Sequence, residues 1–203
     1  MEVCWLCHPS FSHSPQSTDL TTSLSHFSHR SLLPIAEALS NDTATPALVL
    51  SHESDPNWLD LCDALPRCTR LRHLDVRSSL LVHSRSVADS ISRSRHLRRL
   101  MILGTTRSLD GLFVFDLCRS LSLNASSSRL QSLSIQAIET LDDPLANALA
   151  ETLPLLPQLV ALELLCKEVK ESAIEILLAA LCASSVKLLH LSAFHLELFQ
   201  QRE

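Results

Sequence analysis

Six copies of one short apolar pattern, L-x-x-L-x-L with Val or Ile allowed, constrain this chain more than any other feature. Four copies are close matches: Leu71-Leu74-Val76, Leu97-Leu100-Ile102, Leu130-Leu133-Ile135 and Leu159-Leu162-Leu164. Weaker copies flank them, Val186-Leu189-Leu191 and, with Thr in the first slot, Thr45-Leu48-Leu50. Their starts at 45, 71, 97, 130, 159 and 186 lie 26, 26, 33, 29 and 27 residues apart. Self-similarity at a fixed period of this size is the mark of a repeated supersecondary unit.

Strand geometry turns the pattern into two faces. Alternate residues of a strand point to opposite sides, so Leu74 and Val76 face one way while His73, Asp75 and Arg77 face the other. Segments with helical periodicity separate the copies: "LLPIAEALS", "NWLDLCDAL", "SVADSIS", "LDGLFVFDLCRSL", "PLANALAETL" and "ESAIEILLAAL". Asp143 before Pro144 predicts a helix start, with the Asp as N-cap and the proline in the first turn. Each unit therefore reads as a strand, a turn and an amphipathic helix. Alone it leaves its apolar side in water; stacked on its neighbours it shares one continuous core. The Ser-rich "LSLNASSSR" in the longest interval reads as an inserted, exposed loop.

The period, the L-x-x-L-x-L strands and helices such as "PLANALAETLPLLPQLVALEL" resemble leucine-rich repeats of the ribonuclease-inhibitor-like subtype, over about residues 32–198. The resemblance implies an α/β leucine-rich-repeat solenoid, a horseshoe of about six irregular repeats with parallel strands on the concave side and helices outside. Residues 32–203 would form this domain, behind a mostly disordered leader over 1–31. The family binds other proteins through concave and edge surfaces, which implies a protein-protein interaction module without catalysis. Its members include Ran GTPase activators and substrate receptors of ubiquitin ligases, so a regulatory role in an enzyme system is the alternative. A fragment of a larger repeat protein is another, since only "SAFHLELFQQRE" follows the last strand pattern. Unless Phe194, Leu196 and Phe199 cap that end, it invites self-association. The family also places Asn or Cys three residues after the last strand Leu, to bond the turn backbone. Here those slots hold Glu53, Ser79, Thr105, Ile138, Lys167 and Phe194, which implies irregular turns.

Alternation places His73, Asp75, Arg77, Arg99, Met101, Ser134, Gln136, Glu163 and His190 on the face away from the helices, as candidate partner-binding residues. Arg77 and Arg99 fall on adjacent strands, about 5 Å apart across the sheet. Guanidinium forks suit carboxylates, so the pair is a candidate docking spot for an acidic segment of a protein partner. The plainer reading is a solvated face on which the arginines pair with Asp75 and the acidic flanks. His73 and His190 have the chemistry of acid–base groups, although a surface His on a binding face accounts for both. Ser, His and Asp occur throughout, and their co-occurrence means nothing without geometry.

Charge is unevenly spread. The net charge is -5, yet residues 66–129 hold twelve Arg against four acids, between an acidic start and an acidic end. The "RSRHLRRL" run could meet phosphates, but overall acidity and the lack of interleaved aromatics argue against nucleic acid. Two glycines cannot build the common phosphate-cradling loops, so no nucleotide cofactor is expected.

The start, "MEVCWLCHPS", contains Cys4-Trp5-Leu6-Cys7-His8, letter for letter a c-type haem attachment string. Residues 9–31 offer no helices to wrap a haem. Completing a zinc site with His26 and His29 would need C-x2-C-x18-H-x2-H, outside the usual spacing. Neither metal nor cofactor is therefore expected. No secretory signal or membrane span is visible, which points to the cytoplasm, reduced thiols and unused sequons at Asn41 and Asn124. Cys62, Cys118 and Cys182 sit at helical apolar positions, where a thiol acts as a small hydrophobe.

Overall fold

The computed structural model describes residues 46–51, 58–77, 84–104 and 111–193. The expected leader with its Cys4, Cys7 and His8, the helix expected at 32–40, the Asn41 sequon, the slots Glu53, Ser79, Thr105 and Phe194, and the capping residues Leu196 and Phe199 lie outside these. Strands β1 (Ala47–Ser51), β2 (His73–Arg77), β3 (Arg99–Leu103), β4 (Ser132–Leu141), β5 (Ala161–Val169) and β6 (Leu188–Ala193) alternate with helices. These are α1 (Trp58–Ala64), α2 (Ser84–Arg93), α3 (Gly111–Leu123), α4 (Asp143–Thr152) and α5 (Glu171–Cys182). The sheet is six-stranded and wholly parallel, in the order β1-β2-β3-β4-β5-β6.

Register keeps the apolar pattern in phase across every strand. Leu48, Leu74, Leu100, Leu133, Leu162 and Leu189 form one row, and Leu50, Val76, Ile102, Ile135, Leu164 and Leu191 the next. The helices pack on one another in the same succession, α1 on α2 through to α4 on α5. Their apolar stripes, such as Phe113, Val114 and Leu117 of α3 and Leu145, Ala146 and Leu149 of α4, join the strand rows in a single core. Each leucine so buried stabilises the fold by about 1.5–3 kcal/mol.

The backbone repeats where each strand begins. One carbonyl accepts two successive N–H groups from the next unit: Pro46 O from Arg72 and His73, Arg72 O from Arg98 and Arg99, and Arg98 O from Gln131 and Ser132. Gln131 O does so for Val160 and Ala161, and Val160 O for Lys187 and Leu188, all at 2.8–3.0 Å. Hydroxyls tie the helices together at the other side of the core. Ser90 Oγ donates to Cys62 O at 2.6 Å, linking α2 to α1, and Thr152 Oγ1 donates to Cys118 O at 3.2 Å, linking α4 to α3.

Several local expectations need correction. The N-cap of α4 is Asp142, whose Oδ1 accepts from Leu145 N at 3.1 Å; Asp143 sits inside the first turn and accepts from Ser172 Oγ of α5. "LSLNASSSR" is not an open loop: Leu123 ends α3, and Ala125–Ser127 form a 3-10 turn with Ala125 buried. Asn124 Nδ2 closes it by donating to Ser92 Oγ at 3.0 Å. Ile138 and Lys167 lie inside strands instead of turns, because β4 and β5 run on together past the other strands. Their register shifts between Gln136 and Ile138, where Ala137 forms a bulge at φ 65. Among the described residues no helix is long and apolar enough to cross a membrane.

Leu133→Ala removes a side chain only 2% exposed at the middle of the first apolar row. It should lower unfolding free energy in urea by about 2–5 kcal/mol. Ala137 occupies the left-handed region without being glycine, a conformation costing about 1–2 kcal/mol for a residue with a Cβ. Ala137→Gly should therefore raise the urea midpoint slightly, and Ala137→Val should lower it.

Candidate functional site

The face away from the helices carries side chains in three rows set by the strand register. The middle row runs Val49, Asp75, Met101, Ser134, Glu163, His190 across all six strands. Its second half is one hydrogen-bonded group. Ser134 Oγ donates to Glu163 Oε2 at 2.6 Å, and Gln136 Nε2 donates to Ser134 Oγ at 3.0 Å. The same amide stands 3.4 Å from Glu163 Oε2 and 3.5 Å from Met101 Sδ. On the far side His190 Nδ1 lies 3.1 Å from Glu163 Oε1. Five of the expected residues (Met101, Ser134, Gln136, Glu163 and His190) thus come together around one carboxylate.

The order of contacts decides what this group can do chemically. In a nucleophilic triad the imidazole stands between hydroxyl and carboxylate and takes the hydroxyl proton. Here the carboxylate stands in the centre, so Ser134 donates to Glu163 and His190 approaches from the opposite side. That geometry orients a polar surface. It is not the order of a hydroxyl–imidazole–carboxylate triad.

Asp75 and Arg77 form a second group. Arg77 Nε and Nη2 both donate to Asp75 Oδ2, at 3.0 and 2.9 Å, while Oδ1 is buried without a donor. The docking spot expected from Arg77 and Arg99 is not built. The two do stand on adjacent strands, but Arg99 is opposite His73 and Arg77 opposite Leu103. Four residues of register separate them, about 13 Å along the strand, and Arg77 is already engaged by Asp75. Sequence alternation fixed the face correctly and left position along it unweighed. Arg99 and His73 lie at the opening of their strands, apart from both groups.

Beyond the bulge, Lys167 Nζ meets Glu139 Oε1 at 2.7 Å, extending the polar face along β4 and β5. This pair was not expected. The buried Ile138, Leu141 and Cys166 continue the apolar side past the six-residue pattern and were its available signal.

Among the described residues no group of three or more His, Cys, Asp or Glu is placed to hold a metal ion. Among the described residues Cys62, Cys68, Cys118 and Cys166 are buried, whereas Cys182, expected at an apolar helical position, is exposed at the end of α5. Burial pushes the Cys62, Cys118 and Cys166 thiols up to about 11, about 12 and about 11. No protein-family profile matches the chain, and no curated protein matches it at a significant level.

These thiols make two linked expectations. Cys182 should be alkylated at least tenfold faster than Cys62, Cys118 or Cys166 in the native protein, read by peptide mass mapping. Because the raised values favour the neutral form in the folded state, their contribution is whole below the ordinary thiol value near 9. It is lost as pH rises from there toward 11–12. Melting temperature should fall across that window.

Proposed function

We propose that the chain is a leucine-rich-repeat solenoid of the ribonuclease-inhibitor-like kind, binding another protein through its helix-free strand face or the edge beside it, without catalysis. The period, the sequential parallel sheet and the repeated carbonyl contact at each strand opening support the solenoid. One observation carries the binding role: Ser134, Gln136, Glu163 and His190 are held by their own hydrogen bonds on neighbouring strands of an open face. Side chains fixed before contact lose little entropy on binding, which is how a rigid surface gains affinity and selectivity. The same face, with its carboxylate between hydroxyl and imidazole, departs from the order of a nucleophilic triad. Placement in the cytoplasm, with its cysteines reduced, belongs to this proposal too.

Self-association through β6 is a second reading. Leu188 is 66% exposed there, and Leu189 and Leu191 are only partly covered. Light scattering that gives a concentration-dependent mass would favour it.

The binding role predicts the behaviour of variants at the strand face. A protein captured by the full chain should be held at least tenfold more weakly by Glu163→Lys and by Gln136→Ala/His190→Ala, measured by titration calorimetry, with melting temperatures near the parent's. A captured protein indifferent to both would exclude this face.

A further inference from the structure

Part of the basic middle of the chain has a definite place in the fold: the edge where the strands begin. Backbone hydrogen bonds set Arg72, Arg98, Gln131, Val160 and Lys187 in one row along that edge. Just before or beside them stand Arg67, Arg70, Arg95 and Arg129, all exposed. Arg72 is half-buried and engaged by local backbone, its Nη1 donating to Thr69 O at 2.6 Å. No acidic residue occurs in the segments leading into the strands, 65–72, 93–98, 124–131, 153–160 and 183–187. Arg93 is taken by Asp89 at 3.0 Å. Arg67, Arg95, Arg98 and Arg129 make no ion pair among the described residues.

Fold requirements do not explain this edge. Cations are favoured beside helix carboxyl ends, and each segment follows a helix. Yet 153–160 and 183–187 follow α4 and α5 in the same way and contain Lys187 as their sole cation. Within these segments the arginines are confined to three consecutive turns. Mutual repulsion of uncompensated guanidinium groups costs stability there, and an anion would relieve it.

We infer that this edge is a docking site for an acidic peptide segment of a partner, bearing an apolar residue at one end. Three turns at strand spacing span about 10 Å, which an extended run on the order of four residues would cover. Guanidinium forks pair with carboxylates in a bidentate way. Past Gln131 the edge becomes apolar, with Val160 41% and Leu155 49% exposed, beside the end of the acidic run. A nucleic-acid duplex fits less well. Its charge continues far beyond the patch, into a chain whose net charge is -5. The three arginine-bearing segments also lack Phe, Tyr and Trp for stacking on single strands.

This inference rests on the protein-binding reading but moves the contact from the face to the edge. The test is fluorescence anisotropy with a labelled Glu/Asp-rich peptide ending in Leu, at several salt concentrations. The full chain should bind it, and Arg95→Glu/Arg98→Glu/Arg129→Glu should weaken binding at least tenfold, about what three exposed ion pairs supply. Arg95→Gln/Arg98→Gln/Arg129→Gln should show a smaller loss and provides the comparison if charge reversal disturbs folding. Arg85→Glu, a charge reversal at an exposed position of α2 outside this edge, should leave peptide binding within about twofold. Absence of binding by the parent, equal binding by both triple variants, or tighter binding of a short DNA duplex or phosphatidylserine vesicles would overturn it. If a captured protein is released by the Glu163→Lys change and held by the triple variants, the edge assignment fails while the binding-module reading stands.

Discussion

Everything in this molecule depends on one constraint: a unit of strand and helix has a single apolar side and cannot cover it alone. Leu133 and Ile135 of β4 are buried only because β3 and β5 bring Leu100, Ile102, Leu162 and Leu164 alongside in the same phase. The doubly accepted carbonyl at each strand opening holds that phase. A slip of one residue would turn every leucine of a strand to the open face and every polar residue into the core. Local pairing and global burial therefore enforce the same register.

That division of labour leaves the other face without a part in folding. Its side chains are free to serve as a surface, and they are tied to one another instead of to the core. Glu163 collects Ser134, Gln136 and His190, and Asp75 collects Arg77. A carboxylate exposed on one side and bonded on the other keeps its place without the full penalty of burial. Asp75 Oδ1 is the exception, a buried oxygen with no donor, and such an atom costs on the order of 1–3 kcal/mol.

Much of the fold was legible because strand periodicity is a strong signal. Every copy of the pattern begins a strand at the expected phase, and each residue expected on the polar face stands there. What sequence did not disclose is distance along a strand: Arg77 and Arg99 share a face and adjacent strands but are four residues out of register. The extension of β4 and β5 was hidden for a different reason. An alanine bulge shifts the alternation by one, so Ile138 no longer reads as strand-like. The N-cap was missed by one residue because Asp142 and Asp143 offer the same chemistry and only backbone geometry chooses between them. The arginine edge was visible as charge but not as a surface, until register showed which residues open the strands.

Hydrogen–deuterium exchange on the chain with a bound partner locates the binding surface most directly, since it reads contact along the chain without altering the surface. Exchange should slow in the turns around 67–72, 95–99 and 128–132 or along β4 to β6, with helices α3 and α4 unchanged. Protection confined to the outer sides of the helices, around Leu112, Phe115 and Asn147, would contradict that placement.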